Sequence, residues 1–186
     1  MERWNLIKSK VPKSKDIVGA EVGVWRGEMS KNLLSAMPRL TLYMIDRWKP
    51  HKVKGSNYEC DSMLSASMGE HKKALSEVRQ TADRFGKRAI IMQGESSDCA
   101  VKFENEFFDF VFIDAEHSYE QVSNDIRFWY PKVKPGGWLC GHDYNHHRYG
   151  RFVMLAIKDF SEPLRLTPEF LSDKSWFVQK PCAITS

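Results

Sequence analysis

The run DFVFIDAEHSY, Asp109 to Tyr119, sets Asp114, Glu116 and His117 directly behind an apolar stretch. Further on, LCGHDY sets His142, Asp143 and Tyr144 behind another. A histidine with a near-neutral pKa can take the proton from a hydroxyl. An acid beside it can orient that histidine, or it can join other ligands around a cation that lowers the hydroxyl's own pKa. His117 with Asp143 therefore reads as a base and its orienting or metal-holding partner. Other apolar runs end in chemistry too. EVGVWRG follows Glu21 with Gly23 and Gly27, Asp46 closes LTLYMID, and Glu95 and Ser96 follow AIIMQG.

The elements that must carry these residues are visible in the hydrophobic pattern. Ile17 to Val22, Leu40 to Ile45, Ala89 to Gln93, Phe108 to Ile113 and Trp138 to Gly141 read as five strands, the last entered through a turn at KPGG. A helix follows the first, with Met29, Leu33, Leu34 and Met37 on one face and Pro38 at its end. Another follows the fourth, with Ser118 as N-cap, Gln121 completing a capping box, and Val122, Ile126 and Trp129 at helical spacing. Strands alternating with helices imply a parallel sheet covered on both faces. LRLTPEF and KSWFVQK read as a closing hairpin. Between the second and third strands the segment 47–85 is long: a polar, basic first part and one or two helices from Cys60 to Phe85. A connection of that length suits a lid or substrate-recognition insertion.

In such sheets ligands bind beyond the C-terminal strand ends. A dinucleotide fingerprint fails, because the glycine pattern from Gly23 meets Trp25 and then Glu28, which would repel phosphate. A phosphate loop fails on length and on its missing Gly-Lys pair. A nucleoside without phosphate remains, with Asp46 placed to accept from both ribose hydroxyls. Glu21 adds negative potential near a cationic ligand group.

EVGVWRG, MID, QGESSD, FDFVFIDAEHSYEQVSNDI and VKPGGWLCGHDY together resemble the class I S-adenosylmethionine-dependent methyltransferases, over roughly residues 17 to 180. The resemblance is to the small-molecule O-methyltransferase branch of methyltransferase-24 type. It implies a Rossmann-like α/β fold: one domain over 1–186, a three-layer α/β/α sandwich with a mostly parallel seven-stranded sheet and a C-terminal antiparallel hairpin. It implies S-adenosylmethionine held by Glu21, Gly23, Val24, Trp25, Gly27, Asp46, Arg47, Glu95, Ser96, Asp114 and Ala115. Trp25 stands where the family's middle glycine is usual. The branch includes metal-dependent sugar O-methyltransferases, which implies a divalent metal (magnesium, manganese or another) on Asp114, His142 and Asp143, and His117 as base. Those enzymes carry Glu-Asp where this chain has His142-Asp143, and an imidazole in the set suits a transition metal better than magnesium. The expected substrate is a small-molecule hydroxyl, sugar- or glycoside-like. The alternatives are a nucleic-acid methyltransferase and an inactive S-adenosylmethionine-binding protein.

Bulk properties bound these readings. The chain has 186 residues, 42% of them hydrophobic, enough for one folded core. No apolar run could span a bilayer, so no membrane is expected. MERWNLIKSKVPKSK is charged without an apolar core, unlike a secretory signal. Cys60, Cys99, Cys140 and Cys182 are scattered, as free thiols in a reducing cytoplasm would be. The net charge of +4 sits in the first fifteen residues, leaving 23 basic and 23 acidic residues, so the tail reads as a solvated terminus. A nucleic-acid partner would call for a basic face over the whole domain; a homo-oligomer is compatible with the sequence.

Overall fold

The structure, a computed structural model, describes residues 2–12, 15–51 and 66–182. The part of the long insertion at 52–65, including the start expected at Cys60 for its helices, lies outside the described residues. Its remainder is one helix, α3 (Met68–Phe85), begun by a Ser67–Glu70 capping box.

Seven strands form one sheet: β1 (Ile17–Val22), β2 (Leu40–Asp46), β3 (Ala89–Gln93), β4 (Phe108–Ile113), β5 (Val133–Gly141), β6 (Glu169–Phe170) and β7 (Trp176–Gln179). Their order is β3-β2-β1-β4-β5-β7-β6. The first five are parallel, and β7 runs antiparallel to both β5 and β6. All six residues of β4 are buried, as a central strand covered on both faces requires. One face is covered by α1 (Arg3–Lys10), α2 (Glu28–Ala36) and α3, around Leu33, Leu42, Val78, Phe110 and Phe112. The other is covered by α4 (Ser96–Ala100), α5 (Tyr119–Trp129) and α6 (Gly150–Ser161), around Phe108, Val111, Ile126, Trp129 and Ile157. This is the three-layer architecture the strand–helix alternation requires. The order reverses between β1 and β4, so the crevice for a ligand opens beyond those two strands.

Three local expectations change. KPGG is not a turn before the last parallel strand: β5 already starts at Val133, and its pairing with β4 shifts register between Phe108 and Phe110. Gly136 takes φ +76° there, and a Cβ on Gly137 would stand 2.7 Å from the Asp109 carbonyl oxygen, so both glycines serve a bulge pressed against β4. Ser118 does cap α5 by accepting from Gln121 N, but the Gln121 side chain donates to Asp125 Oδ1 instead of turning back to close a box. The basic terminus is not a solvated tail. Residues 3–10 fold into α1, and three of the terminal cations meet acids: Arg3 with Asp114, Lys10 with Glu169, Lys15 with Asp109.

Candidate active site

Beyond β1 the chain makes its closest backbone approach. Gly23 has φ +92°, and a Cβ there would lie 2.1 Å from the Asp114 carbonyl oxygen. Only glycine fits both the conformation and the space. Gly27, at φ +77°, lies against Val78 of α3. Trp25, in the middle position, takes φ +51°, and its indole packs edge-on against the buried His71 with ring centroids 5.1 Å apart. Val24 is buried beneath this turn.

The ends of β1 and β2 are tied together by Asp46. Its two carboxylate oxygens accept from Trp25 N at 2.8 Å and Trp48 N at 2.7 Å, and Trp48 Nε1 donates to Trp25 O at 2.8 Å. Each oxygen keeps a lone pair for a further donor. Glu21 sits underneath, 2% exposed, and accepts from Ser30 Oγ. Burial pushes its carboxyl up to about 8; the Ser30 bond opposes this, while the nearby Asp114 charge adds to it. Glu21 is therefore largely neutral at pH 7.

A polar relay crosses from β3 to β4. Arg47 lies 3.6 Å from Glu95 and 2.6 Å from His51 Nδ1; His51 Nε2 lies 3.2 Å from Glu116, which accepts from Ser118 Oγ. Ser96 Oγ accepts from Trp129 Nε1 at 2.8 Å. Ala115, between Asp114 and Glu116, is partly buried against the α5–α6 side of the core.

The densest chemistry stands beyond β4 and β5. His117 Nε2 lies 3.3 Å from Asp143 Oδ2 and 3.7 Å from Asp114 Oδ1. Asp143 holds the left-handed φ of +63°, a conformation that Asp tolerates better than most non-glycine residues. Burial alone would raise its carboxyl. Interaction with His117 and His142 more than reverses that and holds it far below the usual range, so Asp143 is an anion throughout the physiological range. Tyr149 lies flat on His117, centroids 4.2 Å apart, with His146 stacked on its other face at 3.9 Å. The Tyr149 hydroxyl donates to Asp143 Oδ2 at 3.3 Å.

Asp114, His117 and Asp143 offer one ligand atom each, all within 4.8 Å of one another. His142 is not in this group. Its Nδ1 lies 3.0 Å from Asp143 Oδ1 and its Nε2 2.7 Å from the Asp173 carbonyl, so both nitrogens face protein partners. His117 takes the place the sequence pattern gave to His142. Three residues at this end were not legible as site residues: Arg3, whose Nη1 lies 2.6 Å from Asp114 Oδ2, Tyr149 and His51. Of the stacked rings only His146 lies in the His-rich stretch 142–147, and nothing local marks Arg3.

A family model described as a methyltransferase domain matches residues 20–144. Among solved structures, a "putative caffeoyl-CoA O-methyltransferase" from Staphylococcus aureus superposes with TM-score 0.70 at 15% identity, over 97% of this chain and 84% of that one. The O-methyltransferase NovP gives 0.65 at 19%, over 95% and 75%; the calicheamicin methyltransferase CalS11 gives 0.68 at 11%, over 95% and 76%. These likenesses are of fold. Among curated sequences, protein R132 of Acanthamoeba polyphaga mimivirus is 39% identical over 49 residues, 26% of this chain. The match spans only 22% of that protein's length.

Proposed function

The chain belongs to the S-adenosylmethionine-dependent methyltransferase-domain family, and from that premise we propose that it methylates a hydroxyl of a small molecule, with His117 as the base. The observation that carries this reading is the His117–Asp143–Asp114 group, set beside the Gly23 turn at the switch point of the sheet. S-adenosylmethionine supplies a methyl on a sulfonium, which leaves as a neutral thioether. The residues fit it: Gly23 and Gly27 admit close backbone, Asp46 keeps acceptor capacity for the ribose, and Arg47, Glu95 and Ser96 bound the base end. Asp114 and Ala115 close the side toward the reacting centre.

In this reading the acceptor hydroxyl lies in the space bounded by Asp114, His117 and Asp143. His117 takes its proton, and the two carboxylates beside the ring stabilise the imidazolium. Such a base is worth about 10²–10⁴-fold. Tyr149 and His146 fix the ring plane by stacking. The solved relatives whose names mention caffeoyl-CoA and calicheamicin support a small-molecule acceptor. The described part of the segment 47–85 walls a separate cleft of about 430 Å³ with Trp48, Lys49, Lys72, Leu75 and Arg79.

A second reading rests on the same three side chains. Two carboxylate oxygens and an imidazole nitrogen within 4.8 Å suit a divalent transition metal, which would lower the pKa of the hydroxyl. It would occupy His117 Nε2, so His117 could not then be the base. Transfer of labelled methyl to a panel of sugars, glycosides and phenols, with and without chelator, separates the two. Chelator-resistant transfer supports the base reading; transfer restored only by added manganese or zinc supports the metal; no transfer to any hydroxyl acceptor overturns both.

A further inference from the structure

Arg3 and Asp114 meet at the glycine turn. Arg3 comes from the N-terminal end of α1, which packs along α2 on the sheet face. Its Nη1 lies 2.6 Å from Asp114 Oδ2, and the guanidinium is about one-third exposed. Asp114 is also the residue whose carbonyl presses against Gly23, so the cation is bonded to the residue that abuts the turn. That hydrogen bond engages one of five guanidinium N–H groups. Glu21, directly below, feels both charges. With Glu21 neutral, the turn presents one anion and one cation side by side.

That pairing matches an α-amino-acid zwitterion. We propose that Arg3 is a specificity residue for the cofactor, binding the α-carboxylate of its methionine portion while Asp114 and the Gly23 turn receive the α-ammonium. The inference rests on the cofactor reading above and adds to it a residue outside the matched 20–144 region. The chemistry favours arginine: its planar fork binds a carboxylate through two parallel N–H bonds, and it stays charged at every relevant pH. A link that only stapled α1 to β4 would be indifferent to what binds beside it. Arg3 instead discriminates ligands by their carboxylate.

Decarboxylated S-adenosylmethionine provides the test, because it keeps the adenosine, the sulfonium and the amine and lacks only the carboxylate. Calorimetric titration of the wild type should show S-adenosylmethionine binding roughly 10-fold or more tighter than the decarboxylated compound, as expected for a charge-assisted hydrogen bond. Arg3→Ala should erase that preference by weakening S-adenosylmethionine alone, its unchanged grip on the decarboxylated ligand showing that the site is still folded. Arg3→Lys should restore part of the preference. Equal loss for both ligands, or a preference that survives in Arg3→Ala, overturns the assignment and leaves Arg3 as a staple. A wild type that binds neither compound overturns the cofactor reading itself, and this proposal with it.

Discussion

Replacing Glu21 by Gln tests whether a neutral carboxyl lies beneath the glycine turn. The Glu21 carboxyl is 2% exposed, and burial raises it from 4.5 to about 8. At ~1.4 kcal/mol per unit, that rise is on the order of 5 kcal/mol against the charged form. The sign follows from proton counting. Between pH 4.5 and about 8 the unfolded chain has lost this proton while the folded chain keeps it. Stability therefore falls as pH rises across that window and levels above it. Glutamine keeps the size and can still accept from Ser30 Oγ, and it carries no titration. Urea denaturation of both proteins at pH 5, 6, 7 and 8 reads the difference. The gap in favour of Glu21→Gln should widen by on the order of 1 kcal/mol per pH unit and reach several kcal/mol by pH 8. Other titrating groups, Asp125 among them, act in both proteins and cancel. Parallel profiles would refute the buried neutral acid.

Gly23→Ala forces a Cβ to 2.1 Å from a backbone oxygen at φ +92° and should cost more than ~2 kcal/mol, with loss of S-adenosylhomocysteine binding; Gly27→Ala, facing the Val78 methyl at 3.0 Å, should cost less, as denaturation and calorimetry would show. Tyr149→Phe keeps the ring on His117 and loses the bond to Asp143, so kcat should fall a few-fold, whereas Tyr149→Ala should lower kcat roughly 10-fold or more with unchanged S-adenosylmethionine affinity. Burial raises the Asp125 carboxyl to about 7, so Asp125→Asn should melt above wild type at pH 8 and converge with it near pH 4, a trend thermal scans would follow.

The legible parts of the fold were those where one strand's own pattern decides its fate. IVGAEV, AIIMQ and FDFVFI are short apolar runs bounded by polar or turn residues, and β1, β3 and β4 begin and end where those runs do. KPGG was misread because two glycines signal a turn locally, while the bulge they form exists only against Asp109 of β4. α1 was missed for a similar reason. Arg3 and Lys10 in it, and Lys15 beyond it, look solvated until Asp114, Glu169 and Asp109, all distant in sequence, arrive beside them. The acids and histidines at the strand ends could be picked out because parallel strands deliver their C-terminal ends to one edge. Which of them point at one another could not. His142 bridges Asp143 and the Asp173 carbonyl while His117 meets Asp143 and Asp114, and the Tyr149 stack depends on how the loop before α6 folds back.

The central claim is that His117 acts on the acceptor and not on the cofactor. Wild type and His117→Ala are to be compared for S-adenosylmethionine binding by calorimetry and for single-turnover methyl transfer to whichever hydroxyl acceptor the panel identifies, followed by mass spectrometry. The account predicts equal cofactor affinity in the two proteins and a loss of transfer of about 10²-fold or more in the variant. Transfer at the wild-type rate by His117→Ala would contradict it.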